Sequence, residues 1–259
     1  MTSFAPESSL VAEVLPSPNH GERRGSAAPN LIVLHYTGMV DTAAALRRLC
    51  SPQSEVSAHY LVTEAGRIIQ MVPEMRRAWH AGLGSWQGEN DVNSISIGIE
   101  IANPGHEHGY PDYPRRQIAA VTLLCRGILS RHKIAPSRVV AHSDVAPARK
   151  QDPGEKFPWR LLYESGVGLW VPPAPIVEDR PFFSLGDVNP AVKDLQRRLA
   201  DIGYGLKQSG TYDGETTTTV AAFQRRHRPE RIDGIADQST LATIHAVEAA
   251  LRIANAPAA

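Results

Sequence analysis

Apolar and polar positions along this chain fall into patterns that outline its elements. Residues 94–101, Ser-Ile-Ser-Ile-Gly-Ile-Glu-Ile, alternate strictly. Ile95, Ile97, Ile99 and Ile101 share one face of a predicted strand, and Ser94, Ser96, Gly98 and Glu100 share the other. The first face reads as core. The second carries a carboxylate among small neighbours that leave room above the sheet. Residues 30–36, Asn-Leu-Ile-Val-Leu-His-Tyr, make a short apolar run that stops before Thr37-Gly38 and predicts a buried strand. Residues 58–62 and 67–71 predict two more strands, with Glu64-Ala65-Gly66 as the hairpin turn between them. Residues 139–141 predict a short strand leading directly into His142. Helical spacing appears in residues 41–50, with Asp41 placed to cap, and in residues 114–132, with Ile118, Val121, Cys125, Ile128 and Leu129 on one stripe.

Strands and helices interleave, so the first domain is α/β, a mixed sheet flanked by helices. It spans residues 1–168, of which 1–28 are polar, rich in Pro, Ser and Gly, and read as an irregular or wrapping segment. Residues 169–181 hold a Pro-rich run, Val-Pro-Pro-Ala-Pro-Ile-Val-Glu-Asp-Arg-Pro, expected to be a fairly stiff linker. Residues 182–259 then read as a small three-helix domain. Its first helix carries Val192, Leu195 and Leu199 on one face, with Asp187 or Asn189 available as cap. Its second runs over 217–226 with Val220 and Phe223 inward, and its third begins between Asp237 and Thr240.

Composition narrows the function classes. The 27 basic and 27 acidic residues cancel, which argues against a nucleic-acid partner. No window approaches the ~18 uninterrupted apolar residues of a membrane span. The N-terminus lacks a basic start followed by an apolar run, and no lipid-attachment cysteine follows it. Cys50 and Cys125 are too few for a disulfide framework and read as small buried apolar residues.

His35 and His142 each stand at the C-terminal end of an apolar strand, and Asp152 follows His142 by ten residues in a loop enforced by Pro and Gly. Two histidines and an aspartate would suffice for a catalytic zinc, which takes three protein ligands and keeps one position open. Spacing alone leaves a second reading, in which each histidine is a satisfied polar group at a strand end. Glu100, on the open face of its strand, is either a candidate general base or a solvated carboxylate.

The segments LIVLHYTG, SAHYLV, RRAWHAG, SIGIEIANPG and AHSDVAPARKQDPG occur in this order over roughly residues 28–160. They resemble the N-acetylmuramoyl-L-alanine amidase type 2 family, in particular its anhydro-muropeptide amidase branch. The resemblance implies one zinc per chain, held by His35, His142 and Asp152. It implies that Glu100 takes a proton from the attacking water and that Lys150 stabilises the oxyanion. It places His80 and Trp79, in Ala-Trp-His-Ala-Gly, in the substrate cleft, and offers Asn103 as a further substrate contact. Trp86 could line the cleft or belong to the core. His59 reads as structural, and His106 and His108 are not expected to form a second metal site. Residues 182 to about 250, with LQRRL, YDG, VAAFQ and IDGIADQST, resemble the peptidoglycan-binding domain type 1 family.

The expected reaction is hydrolysis of the amide between (anhydro-)N-acetylmuramic acid and the L-Ala of the stem peptide, in peptidoglycan or muropeptides. Two alternatives stand beside it: a non-catalytic peptidoglycan sensor, and a zinc peptidase cutting within the stem peptide. The missing export signal favours the cytoplasm, whereas a wall-binding module favours the periplasm. A monomer is expected.

Overall fold

The computed structural model describes residues 4–25, 28–177 and 183–254. Residues 178–181 of the Pro-rich linker and residues 26–27 of the N-terminal segment lie outside the described residues. In chain order the elements are β1 (Val11–Val14), β2 (His20–Gly21), β3 (Leu31–Tyr36), α1 (Thr42–Leu49), β4 (Tyr60–Val62), β5 (Ile68–Gln70), β6 (Arg77–Ala78), α2 (Val92–Ile95), β7 (Ser96–Ile101), α3 (Arg115–His132), β8 (Val139–Ala141), α4 (His142–Val145), α5 (Trp159–Glu164), α6 (Pro190–Ile202), α7 (Gly214–His227) and α8 (Gln238–Ala254).

Six strands form one mixed sheet in the order β1-β5-β4-β7-β3-β8. Only the β4–β5 hairpin is antiparallel; β4, β7, β3 and β8 run parallel to one another. Parallel strands expose their carboxyl ends on a common edge, where open α/β sheets bind ligands. The two faces are covered differently. Ile32, Leu34, Ile97, Ile99 and Ile101 pack under α3 and α5 in one apolar cluster. Leu31, Val33 and Val140 point the other way and pack against Trp86, Val145 and the C-terminal helices. Leu61, Ile69 and Met71 form a third cluster with Ala45 and Leu49 of α1.

Local chemistry accounts for most element ends. The Asp41 carboxylate accepts the Ala44 N–H at 2.6 Å and starts α1. Asn189 accepts from Ala191 and Val192 to start α6, with Pro190 in the first turn. The alternation of residues 94–101 holds only from Ser96. Ser94 and Ile95 belong to the helical turn α2, because Asp91 holds the Ser94 N–H and hydroxyl. Ile95 therefore packs with Leu31, Val33 and Val92, not with the other three isoleucines. Residues 11–14, which composition assigns to an irregular segment, extend along β5 and add a parallel edge strand. The free backbone groups of an edge accept a short strand of modest apolar content.

The three C-terminal helices pack around Val192, Leu195, Leu199, Val220, Phe223, Ile244 and Val247. Two buried glutamines bind the turns that follow their helices. Gln196 accepts the Gly210 N–H and donates to Thr211 O, and Gln224 accepts from Asp233 and Gly234 and donates to Ile235 O. This module packs directly against the sheet domain. Its apolar residues are continuous with Leu31, Val33, Trp86 and Val140 of the sheet domain. The Trp86 ring meets Tyr204 edge-on at 5.3 Å. Part of the Pro-rich segment is pinned as well: Ala174 donates to Thr243 Oγ1 and accepts from Ser239 Oγ. No described helix is long and apolar enough to cross a membrane.

Candidate metal centre and cleft

Strand register assembles the site. His35 of β3 pairs directly with Glu100 of β7, so both side chains leave the same face near the carboxyl edge. Ala141 of β8 pairs with Leu34, which puts His142 just beyond that edge beside His35. The loop after α4 then returns. The Ser143 N–H donates to Asp152 O at 3.0 Å, and the hydroxyls of Tyr110 and Tyr113 donate to Pro153 O at 2.9 and 2.7 Å. These bonds hold Asp152 against the histidines. His35 Nδ1 lies 2.8 Å from His142 Nδ1 and 3.1 Å from Asp152 Oδ2, and His142 Nδ1 lies 2.9 Å from Asp152 Oδ2. All three residues are buried.

Hydrogen bonding on the far side of each ring fixes which nitrogen faces the other two residues. His142 Nε2 faces the Ala81 carbonyl at 3.0 Å, and a carbonyl only accepts. Nε2 therefore donates, and Nδ1 is the ring nitrogen turned toward His35 and Asp152. For His35 the argument takes three steps. Ser96 donates its hydroxyl to Val92 O at 2.5 Å, so its oxygen accepts from His80 Nε2 at 3.2 Å. His80 Nδ1 is then the acceptor, and His35 Nε2–H donates to it at 3.0 Å. His35 Nδ1 is the ring nitrogen turned toward His142 and Asp152. Burial, and then the neighbouring His142, hold the His35 pKa down at about 4, against the pull of Asp152. His35 Nδ1, His142 Nδ1 and Asp152 Oδ2 thus converge within 3.1 Å of one another. The donor set is that of a catalytic metal: two imidazoles, one carboxylate and an open side. Among the described residues no other group of three or more His, Cys, Asp or Glu is so placed.

The open side is a cavity of about 500 Å³. Its walls bring together Glu100, Lys150, Trp79 and His80 with the three ligand candidates. Glu100 Oε2 is buried without a hydrogen-bond partner. Burial, and then the Asp152 charge, push its carboxyl well above the usual range. His80 occupies the room that the small residues leave above β7; a Cβ at Gly98 would collide with its imidazole. With its two ring nitrogens engaged by His35 and Ser96, it braces His35 from beneath. Asn103 does not reach the cavity. Its amide donates to Pro111 O and accepts the Gly105 N–H, which spends it on the loop after β7. Trp86 lies at the junction with the C-terminal module. His59 is buried, accepting the Gly98 N–H on Nδ1 and facing Arg76 O with Nε2. Cys125 is buried and Cys50 half-buried, both as free thiols.

Tyr36, Arg48, His106, Glu107 and Arg149 also line the cavity and were not legible as site residues. His106 bonds Tyr36 OH and Glu155 and stacks on Tyr110 at 4.2 Å. Its only sequence signal is position: a loop that leaves the carboxyl end of the Glu100 strand must run along the rim.

Fold and site together define a class, hydrolases that carry a His-His-Asp group and a buried glutamate in an open cleft on a mixed sheet. Comparison with known proteins narrows it. The chain belongs to the N-acetylmuramoyl-L-alanine amidase family, whose model matches residues 25–155, and a peptidoglycan binding domain matches residues 188–244. It is similar to the N-acetylmuramoyl-L-alanine amidase AmiD of Escherichia coli, at 38% identity over 84% of this chain and 81% of that protein. The structure of E. coli AmiD in complex with anhydro-N-acetylmuramic acid-L-Ala-D-gamma-Glu-L-Lys superposes with a TM-score of 0.71 at 34% identity, covering 90% of this chain and 93% of the other. AmpDh3 of Pseudomonas aeruginosa, in complex with an anhydromuramic pentapeptide, gives a TM-score of 0.70 at 32% identity over 95% and 97% of the two chains.

Proposed function

We propose that this protein is a zinc-dependent N-acetylmuramoyl-L-alanine amidase that cleaves the bond between (anhydro-)N-acetylmuramic acid and L-Ala in muropeptides. The observation that carries the metal reading is the convergence of three potential ligand atoms: His35 Nδ1, His142 Nδ1 and Asp152 Oδ2. The muramyl peptides bound to AmiD and AmpDh3 support the substrate class. The C-terminal module would keep the enzyme near peptidoglycan and so raise the local substrate concentration.

Zinc bound by these residues supplies a Lewis acid and lowers the pKa of water to near neutrality. The remaining work falls to side chains. Glu100 accepts a proton from the attacking water through Oε2, the carboxylate oxygen that lacks another partner. Water adds its oxygen to the lactyl carbonyl carbon. The Lys150 ammonium, on the same cavity wall, stabilises the charge that develops on the carbonyl oxygen. Glu100 then returns the proton to the alanine nitrogen as the C–N bond breaks, leaving a lactyl carboxylate and a free amine. A carboxyl whose pKa is raised by burial is suited to both transfers. His80 fixes the tautomer and orientation of His35, and Trp79 offers a wall to the sugar or peptide.

The test is mass spectrometry of an anhydro-muropeptide incubated with the purified protein. The expected products are free anhydro-sugar and an intact stem peptide beginning at L-Ala. Activity should vanish on chelation and return with zinc. Cuts within the stem peptide would make the protein a peptidase, and full activity after rigorous chelation would overturn the metal reading.

A further inference from the structure

Two residues beyond His142, the Asp144 carboxylate is fully buried and engaged from two sides. From its own domain, Oδ2 accepts the Ala141 N–H at 2.8 Å. From the C-terminal module, Arg226 Nη1 donates to Oδ2 and the Tyr204 hydroxyl donates to Oδ1 at 2.8 Å. Arg226 also donates through Nη2 to Val139 O at 2.9 Å, and its guanidinium lies over the Trp159 ring, 4.2 Å from the centroid. Both module side chains are buried in doing so.

Asp144 belongs to α4, a single turn that opens with His142. A one-turn helix has too few internal hydrogen bonds to hold its own geometry. What holds it comes from outside. The same turn donates the Ser143 N–H to Asp152 O, so its orientation governs two of the three ligand candidates at once.

We propose that Tyr204 and Arg226 are positioning residues of the metal centre: through Asp144, the C-terminal module clamps the turn that presents His142. The module thereby acts as a structural part of the active site in addition to its peptidoglycan-binding role. The inference rests on His142 being a metal ligand. It agrees with the apolar packing that is continuous across the two units.

The experiment uses the full chain. Tyr204→Phe removes one donor and keeps the ring, Arg226→Met removes the other donor, and Arg226→Lys keeps the charge. Tyr212→Phe is the matched control, because it deletes a buried phenol hydrogen bond to Gly234 O inside the same module, away from Asp144. Zinc affinity is measured by competition with a chelator, and backbone hydrogen exchange of residues 141–146 is followed in the metal-free protein. Loss of a partner that orients a ligand costs about 10–100-fold in metal affinity, so Arg226→Met should fall in that range, with Tyr204→Phe and Arg226→Lys at or below its lower end. Exchange over 141–146 should quicken in parallel. Tyr212→Phe should leave zinc affinity within about twofold of the parent.

Unchanged zinc affinity in Tyr204→Phe and Arg226→Met overturns the clamp, and so does an equal loss in Tyr212→Phe. Should Arg226→Met fail to fold, the Tyr204→Phe and Tyr212→Phe pair decides alone. His142→Ala separates the premises. If it binds zinc normally, the ligand reading has failed. If it loses zinc while the module variants keep it, only the clamp has failed.

Discussion

Asp144 and Asp152 are buried carboxylates eight residues apart, and they have different partners. Asp144 is met by three donors: a backbone amide, a phenol and a guanidinium. Its charge is neutralised and its lone pairs are used. Asp152 Oδ2 faces two imidazole nitrogens and forms with them the group that could hold a metal ion. The first cluster is closed between the two domains, and the second lines the open cleft. Buried polar groups that are satisfied mark architecture. Buried groups that are left short of a partner, in a cleft, mark function.

The largest expected effect separates the two directly. Asp152→Ala should abolish zinc binding, measured as metal content, and with it amidase activity. In the metal-free protein the same substitution strands no buried guanidinium, so it should cost less stability than Asp144→Ala, read by denaturant titration. Glu100→Gln should come next, lowering kcat by about 10²–10⁴-fold with zinc content unaltered, because it removes proton transfer and not a ligand. A parallel loss of zinc would move Glu100 into the ligand set.

Asp144→Ala should act on folding. It strands Arg226 in the interior, and breaking a buried pair by removing one partner costs about 3–5 kcal/mol, readable by denaturant titration of the metal-free protein. If Asp144→Ala and Asp152→Ala destabilise the metal-free protein equally, the contrast between the two clusters is wrong.

The smallest effect is a pH dependence. Burial, and then the Arg23 charge, lower the His59 pKa to about 3, so between about 6.5 and 3 the unfolded chain holds a proton that the folded chain lacks. His35, at about 4, acts in the same direction. Their contributions raise stability as pH rises through that window. Glu100 does the reverse: its raised pKa means the folded chain keeps a proton that the unfolded chain releases above about 4.5, so stability falls as pH rises. In the metal-free protein the two trends oppose. Glu100→Gln should therefore steepen the gain in stability between pH 5 and pH 7, by at most about 1.4 kcal/mol per pH unit. An unchanged slope would place the Glu100 carboxyl in its ordinary range.

How much of this was legible before folding depends on the distance over which each feature is encoded. Alternation over residues 96–101 puts Glu100 opposite the isoleucines, and the apolar run before His35 ends where β3 ends, because strand periodicity is a local property. The caps at Asp41 and Asn189 are equally local, each a side chain bonding its own next turn. The ordered motifs identified the family and nominated the ligand candidates. The same local logic misplaced Ile95, where the Asp91–Ser94 contact outweighed alternation, and it could not see that Asn103 is spent on its own loop.

Everything that converts these residues into a site was decided by tertiary structure. The register that sets His35 beside Glu100 comes from pairing between strands more than 60 residues apart. The hydrogen bonds that turn both Nδ1 atoms toward Asp152 come from Ala81, His80 and Ser96, which approach from other segments. The junction of Tyr204 and Arg226 with Asp144 joins residues 60 and 82 positions apart. Periodicity and capping are written within a few residues of one another. Hydrogen-bond partners across a core are chosen only when packing and register bring distant segments together.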